Sequence, residues 1–160
     1  MSGYTAIAEE VLSTTSLKTI LQITNPNTNP ASHRIAVYGV RISGAGTNSI
    51  AEPARVLVGR QTTAGTGGVA LTAGFGPVPL DPAMPASSIT AVKGPAGAWT
   101  TEPTLTDVIM AQKIHPQTGM GEFIPLNDEP RVAPNGRLAV LVVATISVAI
   151  TAQFYWREGH

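Results

Sequence analysis

The clearest hydrophobic pattern lies near the end of the chain, where Arg137 to Arg157 reads RLAVLVVATISVAITAQFYWR with no charge between the two arginines. In its second half apolar and polar positions alternate. Ile146, Val148, Ile150, Ala152, Phe154 and Trp156 fall on one side, Ser147, Ala149, Thr151, Gln153, Tyr155 and Arg157 on the other. A period of two belongs to a strand with one buried face, because successive side chains of an extended backbone point to opposite sides. The first half, Leu138 to Val143, is apolar throughout, which predicts a strand covered on both faces. Val, Ile and Thr dominate the run, and their branched β-carbons are stiff in a helix but pack well on a pleated surface. Length and flanking arginines also fit a membrane-spanning helix. The polar residues Thr145, Ser147, Thr151 and Gln153 do not share one helical stripe, however, so the run reads as two consecutive strands or one long bent one.

Upstream, the pattern repeats in shorter pieces. Leu17 to Thr24 alternates Leu17, Thr19, Leu21 and Ile23 against Lys18, Ile20, Gln22 and Thr24, and stops at Asn25-Pro26-Asn27-Thr28-Asn29-Pro30, a loop composition. His33 to Ser43 is a second strong strand, closed by Gly44-Ala45-Gly46. Arg55 to Gln61 is another, followed by the turn TTAGTGG, whose glycines let the chain reverse. Val69 to Thr72, Thr90 to Lys93, Trp99 to Thr106 and Met120 to Leu126 read as short strands. Asp107 to His115 fits a helical turn or a strand, and its setting favours strand. Pro77, Pro79, Pro82 and Pro85 cannot donate to a ladder, so that segment belongs to a surface loop or a sheet edge. Met1 to Ser16, with Glu9 and Glu10 beside Val11 and Leu12, reads as an N-terminal arm. The expected organisation is therefore an arm over residues 1–16 and an all-β, single-domain antiparallel β-sandwich over residues 17–160, jelly-roll-like with about eight strands.

Composition narrows the function. Charged residues make up 12% of the chain and ten basic residues balance ten acidic ones, so no broad field attracts nucleic acid or anionic lipid. A near-neutral domain tends to associate, which points to a homo-oligomer or a larger assembly. With no cysteine there is no disulfide framework, thiolate metal site or cysteine nucleophile. MSGYTAIAEEV lacks the basic start and apolar core of a signal peptide, so synthesis and folding in a cytoplasm are expected.

Nothing in the sequence carries catalysis. AGTGG (Ala64 to Gly68) is followed by Val69-Ala70-Leu71 rather than the Lys-Ser/Thr of a phosphate cradle, and reads as a hairpin turn. His33, His115 and His160 sit outside any metal-ligand spacing. The acids Glu52, Asp81, Glu102, Asp107, Glu122, Asp128 and Glu129 are scattered through loops rather than paired as an acid and a base. No GxSxG elbow is present. The expectation is a non-enzymatic protein with no catalytic, cofactor-binding or metal residues. Phe154 and Trp156 share the apolar side of their strand and read as core, with Tyr155 facing the other way.

The order of short motifs is similar to that of a family of small phage virion proteins expected to fold as jelly rolls. The motifs are HRIAVYGVRISGAGT, ARVLVGRQTTAGTGG, PVPLDPAMPA, WTTEPT and ITAQFYWRE, and the resemblance runs from Arg34 to Glu158. It implies a virion component, assembled in the host cytoplasm. The expected role is a capsid decoration or cement protein that binds the outside of the major capsid shell, as a homo-oligomer for which a trimer is the natural guess at three-fold sites. Met1 to Ser16 and the Pro77 to Pro85 loop are the expected contacts with the major capsid protein. The alternatives are a tail-fibre or receptor-binding module that takes host-surface glycan on an exposed Trp99, and a virion protein anchored by Leu138 to Trp156 as a membrane helix.

Overall fold

The computed structural model describes residues 2–28, 34–45 and 52–159, and among these every regular element is a strand. Eight strands build the frame: β1 (Ser2–Leu12), β2 (Lys18–Thr24), β3 (Arg34–Gly44), β4 (Ala54–Gln61), β8 (Leu105–Ile114), β9 (Gly119–Phe123), β11 (Arg137–Val143) and β12 (Ala149–Gly159). Four short ones, β5 (Val69–Ala70), β6 (Val78–Pro79), β7 (Thr90–Lys93) and β10 (Arg131–Val132), extend the edges. The frame strands pair in nested antiparallel couples: β1 with β12, β2 with β11, β3 with β9, β4 with β8. Nesting of this kind is one long hairpin rolled on itself. It gives two sheets, ordered β6-β1-β12-β3 with β9 and β10 both on β3, and β5-β7-β2-β11-β4-β8, which is a jelly-roll sandwich.

The alternation at the C-terminal end explains how the sheets meet. In β12, Ile150, Ala152, Phe154 and Trp156 are fully buried, while Thr151, Gln153, Tyr155 and Arg157 on the opposite face are half-buried. The buried set packs beside Tyr4, Ala6 and Ala8 of β1 and Val37, Val40 and Ile42 of β3. Against this layer lie Ile23, Val56, Val58, Leu138, Val140 and Val142 of the other sheet. Small residues sit where rings need room: Ala6 lies opposite Phe154. Leu138 to Val142 is buried at every position, as an all-apolar strand should be. Its outward residues Ala139 and Leu141 form a second apolar cluster with Leu57, closed by Leu17 and Leu105. No helix of the described residues is long and apolar enough to cross a membrane, and the uncharged run is instead two strands in different sheets.

The structure corrects several expectations. Within the expected arm over residues 1–16, Ser2–Leu12 is no extension but an eleven-residue strand held between β12 and β6. A bulge hides its period, because the register jumps between Ala8 and Val11 and Glu10 takes a φ of 48°, so Tyr4, Ala6 and Ala8 face inward on even numbers and Val11 on an odd one. A bulge in β2, where the register with β11 skips Ile20, likewise brings Ile20 into the core beside Leu21 and Ile23, against the expected alternation. Trp99 to Thr104 is not a strand, apart from a single bridge from Thr101 to Thr66. Ile146, expected on the core side, is 47% exposed in the turn before β12. Asp107 to Ile114 is strand, and Val78–Pro79 occupies a sheet edge, as Pro79 requires.

Candidate functional site

Three features of this sandwich have the chemistry or exposure to serve function: the outer face of the β1-β12-β3-β9 sheet, a pocket over the other sheet, and the long edge strand β8. Polar anchors at the ends of the roll hold the loops around them.

On the first sheet, antiparallel register places outward residues in rows. Tyr155, Gly39 and Phe123 lie side by side across β12, β3 and β9, with Gln153, Arg41 and Gly121 in the next row and Thr151, Ser43 and Gly119 beyond it. Rows in a sheet are two residues, about 7 Å, apart. The aromatic row is tight: Tyr155 lies 5.7 Å from Phe123 and 6.1 Å from Tyr38, and the Arg157 guanidinium stands 4.8 Å above the Tyr38 ring while pairing with Glu129 at 3.4 Å. Gly39 makes room for the Phe123 ring, which would sit 2.9 Å from a β-carbon placed there. The rows beyond are recessed by Gly119 and Gly121, which leaves a cavity of about 400 Å³ walled by Arg41, Ser43, Thr151 and Gln153. Gln153 Nε2 donates to Thr5 Oγ1 at 2.8 Å, and Thr5 Oγ1 donates to the Phe154 carbonyl, so the amide is held in one orientation. Desolvation raises the Tyr38 hydroxyl pKa, against the lowering effect of Arg157.

On the second sheet, the Gly-rich turn and the segment before β8 cross the outward face. Trp99 is 7% exposed, donates through Nε1 to the Thr19 carbonyl at 2.9 Å, and packs beneath Gly68. The expected exposed tryptophan platform is therefore absent from that position. Beside it a cavity of about 340 Å³ is bordered by Gln22, Thr24, Gly65, Gly67, Trp99 and Arg137. Gly65 and Gly67 take φ values of 67° and 95°, a left-handed backbone that the glycines supply. Arg137 Nη1 donates to the Thr62 and Asn135 carbonyls, and its buried Nε–H has no acceptor among the described residues. Beneath lies a polar chain within the sheet: Gln22 Nε2 donates to Gln61 Oε1 at 2.6 Å, and Gln61 Nε2 to Thr19 Oγ1 at 2.7 Å.

Two buried ionisable groups fasten loops to the frame. Glu158 is 2% exposed and accepts from Trp156 Nε1 at 3.0 Å, the Ser88 N–H at 3.1 Å, the Ser88 hydroxyl at 2.9 Å and the Ser87 hydroxyl. Desolvation raises its carboxyl pKa, but the four donors outweigh burial and the net shift is downward. Tyr4, stacked 6.2 Å from Trp156, donates to the Pro85 carbonyl at 3.1 Å. The proline-rich segment is thus tied down at Pro85 to Ser88 while Leu80 to Ala83 stays exposed. Lys18, 1% exposed, donates to the Leu12 and Pro95 carbonyls at 2.7 Å each. Burial lowers its pKa, partly offset by Glu102.

Among the described residues, those weighed for chemistry do not gather into one site. His33 and His160 lie outside the described residues, and His115 is exposed, its Nδ1 accepting from the Gln117 N–H at 3.2 Å. Asp81 caps the Ala83 N–H at 2.9 Å, Glu102 accepts from the Thr19 N–H, and Glu122 meets Gln112 at 3.4 Å. Among the described residues no three histidines or acids gather into a metal-ligand cluster. Sequence reasoning missed Glu158, Lys18 and the Tyr38–Tyr155–Phe123 row. The first two are charges inside strand patterns, and the third exists only through cross-strand register. The fold and these sites define an all-β jelly-roll sandwich. Comparisons with protein-family models, curated proteins and solved structures give no match to this chain.

Proposed function

We propose that this protein is a non-enzymatic structural component of a phage virion, a decoration or cement protein that packs against the outside of the major capsid shell and against copies of itself. The observation that carries the reading is the free edge of β8. Three of the four sheet edges end in short strands, β5, β6 with its Pro79, and the β9 and β10 pieces, the usual means of keeping an edge from pairing. β8 is ten residues long, contains no proline, and among the described residues pairs only with β4. Its register shifts leave Thr106 and Ile109 out of the Cα register with β4, although the Thr106 hydroxyl still donates to the Arg60 carbonyl, and Val108 and Ile109 are 49% and 37% exposed. A strand with unused donors and acceptors beside exposed apolar side chains is suited to pairing with a neighbouring chain in an assembly.

The balanced charge supports packing at high density, and the resemblance of the ordered motifs to those of small phage virion proteins supports the particle as its place. Three copies around a three-fold position of a shell would bring equivalent edges together. The deciding experiment is cryo-EM of intact particles carrying the tagged protein. Density on the outer head surface is the expected result, and label confined to tails or missing from purified particles would sink the reading. Ile109→Lys should release the protein from heads, with its circular dichroism unchanged.

A further inference from the structure

We propose that the outer face of the β1-β12-β3-β9 sheet is a binding site for an acidic saccharide, with the sugar ring on the Tyr155–Phe123 row and its carboxylate or sulfate on Arg41. The inference does not depend on where in a virion, or whether in one, the protein sits. A sugar ring has an apolar C–H face and a rim of hydroxyls that both donate and accept. It is matched by an exposed aromatic surface beside a small polar recess, and register sets the two in adjacent rows here. Phe123 is 62% exposed and lies against Tyr155, giving a ring surface open to solvent. Next to it, Gln153 brings an amide held by Thr5, Ser43 and Thr151 bring hydroxyls, and Gly119 and Gly121 keep the floor low. The recess, about 400 Å³, falls in the range of small-ligand sites.

Charge selects among saccharides. Arg41 is the cation of the recess wall and makes no ion pair among the described residues, whereas Arg157, across the aromatic row, is engaged by Glu129. Glu122, next to Gly121 in β9, meets Gln112 of β8 instead. A guanidinium with free N–H groups takes a carboxylate or sulfate in a bidentate, charge-assisted contact. A protein partner would need a larger footprint, about 800 Å² per side with an apolar centre, whereas this recess, apart from Ile42 and Met120, is lined by hydroxyl, amide and guanidinium groups and glycines.

The test is an array of neutral, sialylated, uronate-containing and sulfated oligosaccharides, followed by titration calorimetry of the best acidic probe and its neutral counterpart. Wild-type protein should retain acidic members in preference to neutral ones. Arg41→Ala and Phe123→Ala alter exposed side chains and leave the core intact, which circular dichroism verifies. Each should weaken binding about tenfold, and Arg41→Ala should also erase the preference for acidic probes. No retention of any probe, equal retention of acidic and neutral probes, or binding unchanged in both variants overturns the proposal.

Discussion

Trp156 Nε1 donates a 3.0 Å hydrogen bond to Glu158 Oε1, joining two inward side chains of β12 at the end of the roll. The same carboxylate receives the Ser87 and Ser88 hydroxyls and the Ser88 N–H. One buried charge thereby holds the last strand, a core ring and the proline-rich loop in a single geometry. Glu158→Gln keeps an acceptor for Trp156 but turns an amide N–H₂ towards the donors of Ser88. Leaving buried donors facing each other costs about 1–3 kcal/mol. The expected result in urea denaturation is a lower midpoint at unchanged slope, with faster proteolytic cleavage near Met84. Wild-type stability and cleavage in Glu158→Gln would show that the loop is held by something else.

The same group makes acid stability predictable. Its carboxyl pKa is lowered in the fold, so as pH falls through the ordinary glutamate value of about 4.3 the unfolded chain takes up a proton that the native state refuses. Stability contributed by Glu158 is full above that range and is lost as pH drops through the folded value. Lys18 acts at the other end of the scale. Its pKa is lowered too, so stability rises with pH between its depressed folded value and the ordinary lysine value of about 10.4. Unfolding free energy measured against pH should lose its acid slope in Glu158→Gln and its alkaline rise in Lys18→Met. Identical profiles for wild type and both variants would contradict these assignments.

The facing of β12 yields a direct contrast. Ile150 has no exposed surface and Gln153, three residues on, lies on the outer face. Ile150→Asp buries an unpaired carboxylate and should cost more than about 4 kcal/mol, enough to abolish soluble expression. Gln153→Asp loses the amide donation to Thr5 but stays beside solvent, and should fold with near wild-type denaturant midpoint. Equal tolerance of the two would reverse the facing.

Much of this frame was legible because it rests on period two. β12 and β3 show it plainly, β11 stands out as an unbroken apolar run, and proline and glycine punctuation separates these strands. β1 was missed because a bulge at Glu9 and Glu10 shifts its phase, and because its inward residues Ala6 and Ala8 carry little hydrophobic signal. Trp99 looked like an exposed platform because sequence does not reveal that the Thr19 carbonyl and Gly68 receive it. The aromatic row was hidden for a related reason. Tyr38, Phe123 and Tyr155 lie on three strands far apart in the chain, and only pairing β3 with both β9 and β12 makes them neighbours.

Close backbone approach at Gly44 supplies a further check on the pairing. Gly44 ends β3 and donates its N–H to the Thr118 carbonyl at 2.9 Å, where the β8–β9 turn folds back on it. A β-carbon at Gly44 would lie 2.2 Å from the Pro116 carbonyl oxygen, a backbone atom that cannot rotate aside. At Gly97, in the loop after β7, a β-carbon would meet no atom of the described residues within 4 Å. Gly44→Ala should therefore cost about 2 kcal/mol or more through displacement of the turn, while Gly97→Ala should be neutral or slightly stabilising. Thermal and urea unfolding of the two variants measure the contrast. A Gly44→Ala protein as stable as Gly97→Ala would mean that the β8–β9 turn does not pack on the end of β3, and the nested β3–β9 couple would have to be redrawn.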